Sequence, residues 1–376
     1  MLGIAVYPEK ADQQAIIDYI NLAAKYGFKR LFTCLLSAQN QTQATIKNQF
    51  GPIIQAAQAQ QMEIIIDLSP HVLQTLGISY DDLSFFANLG VTGLRLDQGF
   101  DGWKEAQMSH NSYGLKIEIN ASGGNKAIDN ILSFNPDQTK LLACHNFYPM
   151  EYAGLSWKQF EQTSKHFKKL GIRLAAFVGS QAANHGPWQA IDGGLCTLEM
   201  HRYLPLTTQV KHLLMTNLVD DLIIGNAFAT EAELQAISQM QMATFTIELL
   251  TNLSPLEEQI LFNERHFNRG DLSEYLIRSY EPRIKFKNED LPAKNCHTKI
   301  TKGMVVIGNN QFLQYKGELQ IALKDHFDHK GRKNVVAKIV EHELFLLDYL
   351  KPWAFFQFQL AKKIKSKTAQ SNLKKT

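Results

Sequence analysis

Eight short apolar runs, each bounded by a turn, recur before residue 226, and this repetition narrows the possible folds more than any other feature of the chain. They are Leu2–Val6 ending at Tyr7, Arg30–Cys34 at Leu35, Glu63–Ile66 at Asp67 and Gly93–Leu96 at Asp97; then come Leu115–Ile119 at Asn120, Leu141–Cys144 at His145, Leu174–Val178 at Gly179 and Leu222–Ile224 at Gly225. Continuous apolar runs fit strands buried on both faces, and a sheet of such strands is parallel, with helical crossovers between them. The helical signals fall in those gaps. Ala11 to Tyr26 repeats apolar residues at helical spacing and stops at Gly27, and Gly90 and Gly171 stop helical stretches just before a new strand. Thr230 begins an eighth helix that is expected to end near Gln241. Eight βα units in this length predict an α/β fold, a (β/α)8 TIM barrel over residues 1–242, with its chemistry at the strand C-termini.

After Ala243 the pattern changes to short strand-like runs separated by Gly, Asn-Asn and Lys-Gly turns: Thr244–Leu249, Lys302–Gly308, Gln311–Tyr315, Glu318–Leu323 and Asn334–Val340. A compact antiparallel barrel over 243–361 is the expected second domain. The formal charge of +3 is misleading, because residues 362–376 hold six Lys and no acid, leaving the rest of the chain at −3. That tail reads as a basic disordered end, and no nucleic-acid partner is implied. No apolar window approaches 18 residues and no signal peptide opens the chain, so no membrane partner and a cytoplasmic location are expected. The four cysteines have no metal-ligand spacing, no His-Glu-x-x-His or His-x-His occurs, and neither a Gly-x-Gly-x-x-Gly nor a Walker loop is present. Neither a metal nor any other cofactor is expected.

What remains is a set of polar residues at strand ends: Asp67, Asp97, Glu118 with Asn120, His145, Asn146 and Tyr148, and the stretch after strand 7 containing Glu199, His201 and Arg202. Two carboxylates facing one glycosidic bond suffice for its hydrolysis. Strands 4 and 7 lie across the barrel mouth from one another, so Asp97 and Glu199 form the expected catalytic pair, with Asp67 and Glu118 in reserve. Each also has a structural reading: Asp67 as a cap, Asp97 as a partner of Arg95, Glu118 in an internal ion pair, and Glu199 as a first-turn helix acid.

Gly3-Ile4-Ala5-Val6-Tyr7, Asp67-Leu68-Ser69-Pro70, Gly93-Leu94-Arg95-Leu96-Asp97, Asn120-Ala121-Ser122, His145-Asn146-Phe147-Tyr148-Pro149 and Thr197-Leu198-Glu199-Met200-His201-Arg202 resemble, in order, the bacterial family long labelled "outer surface protein". Its characterised member is a 6-phospho-N-acetylmuramidase. Tyr315-Lys316-Gly317-Glu318-Leu319 and Asn334-Val335-Val336 resemble that family's cyclophilin-like C-terminal barrel. The resemblance implies a cytoplasmic glycoside hydrolase of peptidoglycan recycling acting on a phosphorylated amino-sugar disaccharide. Asn120, His145, Asn146 and Tyr148 are then expected to bind sugar, and Arg202 and Arg278 the phosphate. The chain departs from the family pattern at Met150, where an arginine is usual, at Ala153 and at Cys196. The competing readings are a metal-assisted sugar-phosphate isomerase or lyase and a non-enzymatic sugar-phosphate-binding protein; a homo-oligomer is compatible with all three.

Overall fold

Within each of the first eight strands, side chains alternate between two apolar environments, and this alternation closes the sheet. In the computed structural model, which describes residues 1–35, 41–188, 191, 193–240 and 243–361, the strands are β1 (Leu2–Val6), β2 (Arg30–Cys34), β3 (Glu63–Leu68), β4 (Gly93–Leu96), β5 (Lys116–Asn120), β6 (Leu141–Cys144), β7 (Arg173–Val178) and β8 (Asp221–Ile224). They pair in parallel in chain order, and β8 returns to β1 with Leu2 opposite Leu222, forming a closed eight-stranded barrel. Ile4, Val6, Leu31, Ile64, Ile66, Leu94, Ile117, Leu174 and Ile224 turn outward into the large core shared with the helices. Ala5, Tyr7, Phe32, Cys34, Cys144, Ala175, Phe177 and Ile223 turn inward and fill the barrel. A period of two sends neighbours to opposite faces, so both faces must be apolar for the barrel to form.

The crossovers are α1 (Gln13–Lys25), α2 (Gln43–Ala59), α3 (Pro70–Leu76) with α4 (Ser84–Leu89), α5 (Trp103–Ser109), α6 (Ala127–Ser133), α7 (Trp157–Lys169) and α8 (Leu206–Thr216), with α9 (Glu231–Ser238) after the last strand. Local chemistry sets their limits. The Asp12 side chain accepts from Ala15 N at 3.1 Å to start α1, whose buried stripe is Ile16, Tyr19, Ile20 and Ala23. Gly27 follows at φ +80°, a conformation that costs other residues energy. The expected end of the last helix at Gln241, the boundary residue 242 and the basic tail 362–376 lie outside the described residues.

The chain divides into two compact units, Met1–Met240 and Gln241–Thr376. The second is a seven-stranded sheet built from β9 (Thr244–Leu249), β10 (His266–Phe267), β11 (Leu276–Ser279), β13 (Met304–Gly308), β14 (Leu319–Ala322), β16 (Lys333–Ile339) and β17 (Phe355–Leu360), with β12 (Lys299–Ile300) and β15 (His326–Phe327) forming a separate pair. Its edge strands β10 and β11 approach closely, His266 Nδ1 lying 3.0 Å from Ser279 Oγ, so the sheet nearly closes into a second barrel. One expected strand, Gln311–Tyr315, is instead part of a 3-10 segment, Asn310–Tyr315, kinked at Leu313, which the Asn309 side chain caps by accepting from Gln311 N at 3.0 Å.

Candidate active site

The polar inward side chains of the barrel form two separate networks centred on two buried arginines. At the N-terminal end, Arg30 opens β2 and is completely buried. Its guanidinium bonds Asp221 Oδ2 at 2.6 Å and Glu118 Oε2, with Glu63 at 3.8 Å. Arg173 and Lys116 complete this layer, Arg173 reaching Asp221 at 2.7 Å and Lys116 reaching Glu63 at 2.9 Å. Each of these groups except Glu118 is the first residue of its strand, so the layer lies at the end opposite the catalytic mouth of such barrels. Glu118 belongs here. Fully buried and bent toward Arg30, it serves the fold rather than a substrate, because an unpaired charge at that depth would be very costly.

The second network occupies the C-terminal ends. Arg95, inward on β4 and 2% exposed, donates from one nitrogen to Asp67 Oδ1 at 2.6 Å and lies 3.4 Å from Asp97 Oδ1; its other terminal nitrogen donates to Asn146 Oδ1. The two aspartate oxygens therefore lie at most about 6 Å apart, the sum of those two distances. Their settings differ. Asp67 is 3% exposed, and burial pushes its carboxyl up to about 6 even though the Arg95 charge opposes that shift; the nearby Asp97 charge adds to it. The Asp97 side chain is 31% exposed.

The neighbouring loops hold this pair in place. Asn120 donates to the Asp97 carbonyl at 3.0 Å and accepts from Ser122 N at 2.9 Å, while Ser122 Oγ accepts from Asn146 N at 2.8 Å. Tyr148 is half-buried beside Ser122, and burial raises its hydroxyl pKa. On the β1 side, the Tyr7 hydroxyl donates to the Gly225 carbonyl at 2.5 Å. An aromatic series lines the interior: Phe32 and Phe147 pack edge-on to Phe177 at 5.1 and 4.9 Å, and Trp188, 47% exposed, lies 6.0 Å from Phe147. Carboxyls, amides and aromatic rings together match what a sugar ring presents, hydroxyl edges and apolar faces.

Three expected site residues have different roles in the structure. The Glu199 carboxylate accepts from Arg202 Nε and Nη2, both at 2.7 Å, from Tyr152 N at 2.9 Å and from Gly154 N at 2.8 Å. These bonds, the Arg202 pair foremost, hold its pKa near 2, so it anchors the 150–155 loop and cannot donate a proton at neutral pH. Arg202 is 1% exposed and its Nη1 donates to the Tyr148 carbonyl at 3.0 Å; it is part of the same anchor and is not open to a phosphate. His145 turns outward, its Nε2 3.0 Å from Ser164 Oγ on α7 and its ring 4.7 Å from that of Phe160, and burial lowers its pKa to about 3. It is a neutral strut behind Ser122. Met150 is 64% exposed. Among the described residues, no group of three or more His, Cys, Asp or Glu side chains could hold a metal ion.

Models of the N-terminal and C-terminal parts of the 6-phospho-N-acetylmuramidase match residues 2–239 and 243–359. The chain belongs to this family. A crystal structure of an uncharacterized B. cereus protein is 45% identical with TM-score 0.87, covering 95% of this chain and 99% of that one. A conserved Enterococcus faecalis protein of unknown function is 26% identical with TM-score 0.72, covering 96% of each chain. No curated protein matches the chain. Within this 6-phospho-N-acetylmuramidase-type frame, sequence reasoning treated Arg95 only as a partner that could neutralise Asp97. Its position two residues before Asp97, on the same side of the strand, was the available signal that it links both aspartates. Arg278 lies in the second unit on β11, its Nε and Nη2 donating to Glu318 at 2.8 and 3.1 Å.

Proposed function

We propose that the protein is a glycoside hydrolase that cleaves 6-phosphorylated N-acetylmuramic acid glycosides in peptidoglycan recycling in the cytoplasm, with Asp67 and Asp97 as its catalytic carboxyls. The observation that carries this reading is the Asp67–Arg95–Asp97 group at the strand C-termini, in a chain of this family. Acid–base cleavage of a glycosidic bond needs one carboxyl that holds a proton and one that is ionised. Asp67, with its pKa near 6, supplies the proton to the leaving oxygen, and the more exposed Asp97 acts on the anomeric side as base or nucleophile. Arg95 keeps the two at fixed separation, and its permanent charge offsets their mutual repulsion. Asn120, Asn146 and Tyr148 take the sugar hydroxyls and N-acetyl group, and Trp188 offers an apolar platform for the ring.

Incubation with 6-phosphorylated N-acetylmuramic acid glycosides beside their unphosphorylated counterparts, with products followed by mass, tests the reading. Turnover of the phosphorylated set alone supports it. Turnover of neither set, or equal turnover of both, contradicts it.

A further inference from the structure

One face of the second unit carries more positive charge than its own acids neutralise. Antiparallel registry places Arg278 on β11 opposite Gln320 on β14, and Gly308 on β13 opposite Lys333 on β16. Glu318, fully buried, accepts from Arg278, from Arg283 Nη1 at 3.1 Å and from Gln320 Nε2 at 2.9 Å, so one carboxylate serves two guanidiniums.

Lys333 is 7% exposed, and its ammonium lies 3.3 Å from His326 Nε2. Among the described residues, no carboxylate lies within ion-pair distance of it. Arg332 is balanced by Asp328 at 3.7 Å. Arg278, Arg283 and Lys333 against Glu318 thus leave a surplus of two positive charges. A buried ammonium without a counterion is costly, and burial accordingly lowers the Lys333 pKa.

The same place holds an unpartnered acceptor. Gln320 Oε1 has no hydrogen-bond partner although the residue is only 4% exposed. The segment Asn310–Tyr315 lies against Gly308, where an added Cβ would come within 2.3 Å of the Tyr315 carbonyl, and it brings Phe312 and Tyr315 over the charged groups. Tyr315 lies 5.8 Å from the Arg278 guanidinium and 5.2 Å from that of Arg283, and Phe312 is 5.8 Å from Lys333 Nζ. The two rings are 5.2 Å apart, so the three cations flank one aromatic pair, and the charges of Glu318 and Arg278 both act on Lys333.

We infer that this face binds the phosphate group of a small phosphate ester, with Arg278, Arg283 and Lys333 holding the dianion and Gln320 Oε1 accepting from a neighbouring ligand hydroxyl. Guanidiniums match phosphate oxygens in pairs, and a dianion neutralises the surplus of two. Glu318 is a positioning residue that holds the two guanidiniums side by side. The inference concerns the second unit alone and does not depend on the barrel's chemistry.

Titration calorimetry of the full-length protein with inorganic phosphate tests it, with acetate as the monoanion control. Phosphate is expected to bind and acetate not to; Lys333→Met and Arg283→Ala should each weaken phosphate binding on the order of tenfold or more while Asp97→Asn leaves it unchanged. Arg283 has a side chain 24% exposed, so Arg283→Ala keeps the test open if Lys333→Met fails to fold. Absence of phosphate binding, acetate binding as tightly as phosphate, or wild-type affinity in a folded Arg283→Ala variant would overturn the proposal, as would loss of binding in Asp97→Asn.

Discussion

Arg30 and Arg95 are both buried inside the same barrel and both bridge carboxylates from different strands; burial works against the charge of each, and the neighbouring acids outweigh it. What separates them is access. Every acid on Arg30 lies within the N-terminal layer, where Glu118 and Asp221 are almost completely buried, so that network plugs the barrel. Arg95 holds one buried and one partly exposed carboxyl, with an amide loop attached, so the same kind of ion cluster at the other end retains a group that can meet a ligand. A buried ion pair is therefore no sign of function until the direction of its exposed member is known.

The largest effect that would break this contrast is on rate. Asp97→Asn should lower kcat/KM on phosphorylated substrate by on the order of 10²–10⁴-fold with unchanged denaturant unfolding, since the proposed mechanism puts Asp97 on the reacting bond and its side chain contributes little packing. Near-normal turnover would remove it from the mechanism. The converse holds below. Arg30→Met should cost about 3–5 kcal/mol in urea unfolding by leaving the fully buried Glu118 without its counterion and taking one cation from Asp221, which keeps Arg173, while whatever protein stays folded turns over substrate normally. A stability near wild type would show that the lower network is not the plug described here.

Glu199 separates anchor from catalyst. Its folded pKa of about 2 lies below the ordinary 4.5, so its stabilisation is complete above about pH 4.5 and is lost as pH falls toward 2. Glu199→Gln should cost about 1–2 kcal/mol at pH 7 and flatten that acid dependence, measured by melting across pH. Retention of the full wild-type slope would free Glu199 for another role. Smallest of all, Ser164→Ala should cost about 1 kcal/mol by removing the His145 Nε2 partner, with kcat untouched. A large loss of kcat would return His145 to the active site.

Much of this was legible in the sequence. The eight strand ends and their inward parity follow from apolar runs and a period of two, which is why Asp67, Asp97 and Asn120 can be placed at strand C-termini from the sequence; their roles there are the proposal. The partition of the acids could not be read in the same way. Glu118 and Asp97 look alike in sequence, and only the barrel's shear, which carries the β5 carboxylate toward the first residue of β2, sends one down to Arg30 and leaves the other at the mouth. Glu199 reads from the sequence as the catalytic partner of Asp97, with a first-turn helix acid as the alternative, because its partners Tyr152 N and Gly154 N come from a loop some 45 residues away. The run Gln311–Tyr315 reads as a strand from its apolar content, whereas the Asn309 cap decides otherwise.

The central claim is that the upper network does the chemistry because Asp67 holds a proton there. The pH profile of kcat/KM on phosphorylated substrate, for wild type and Asp67→Asn, measures this most directly. A group with its pKa near 6 that acts as an acid is competent below that pH, so wild-type kcat/KM should fall as pH rises through about 6. Asp67→Asn should lose most of its activity, and the remainder should lack that limb. An unchanged limb near pH 6 in Asp67→Asn, or full activity in that variant, would contradict the account.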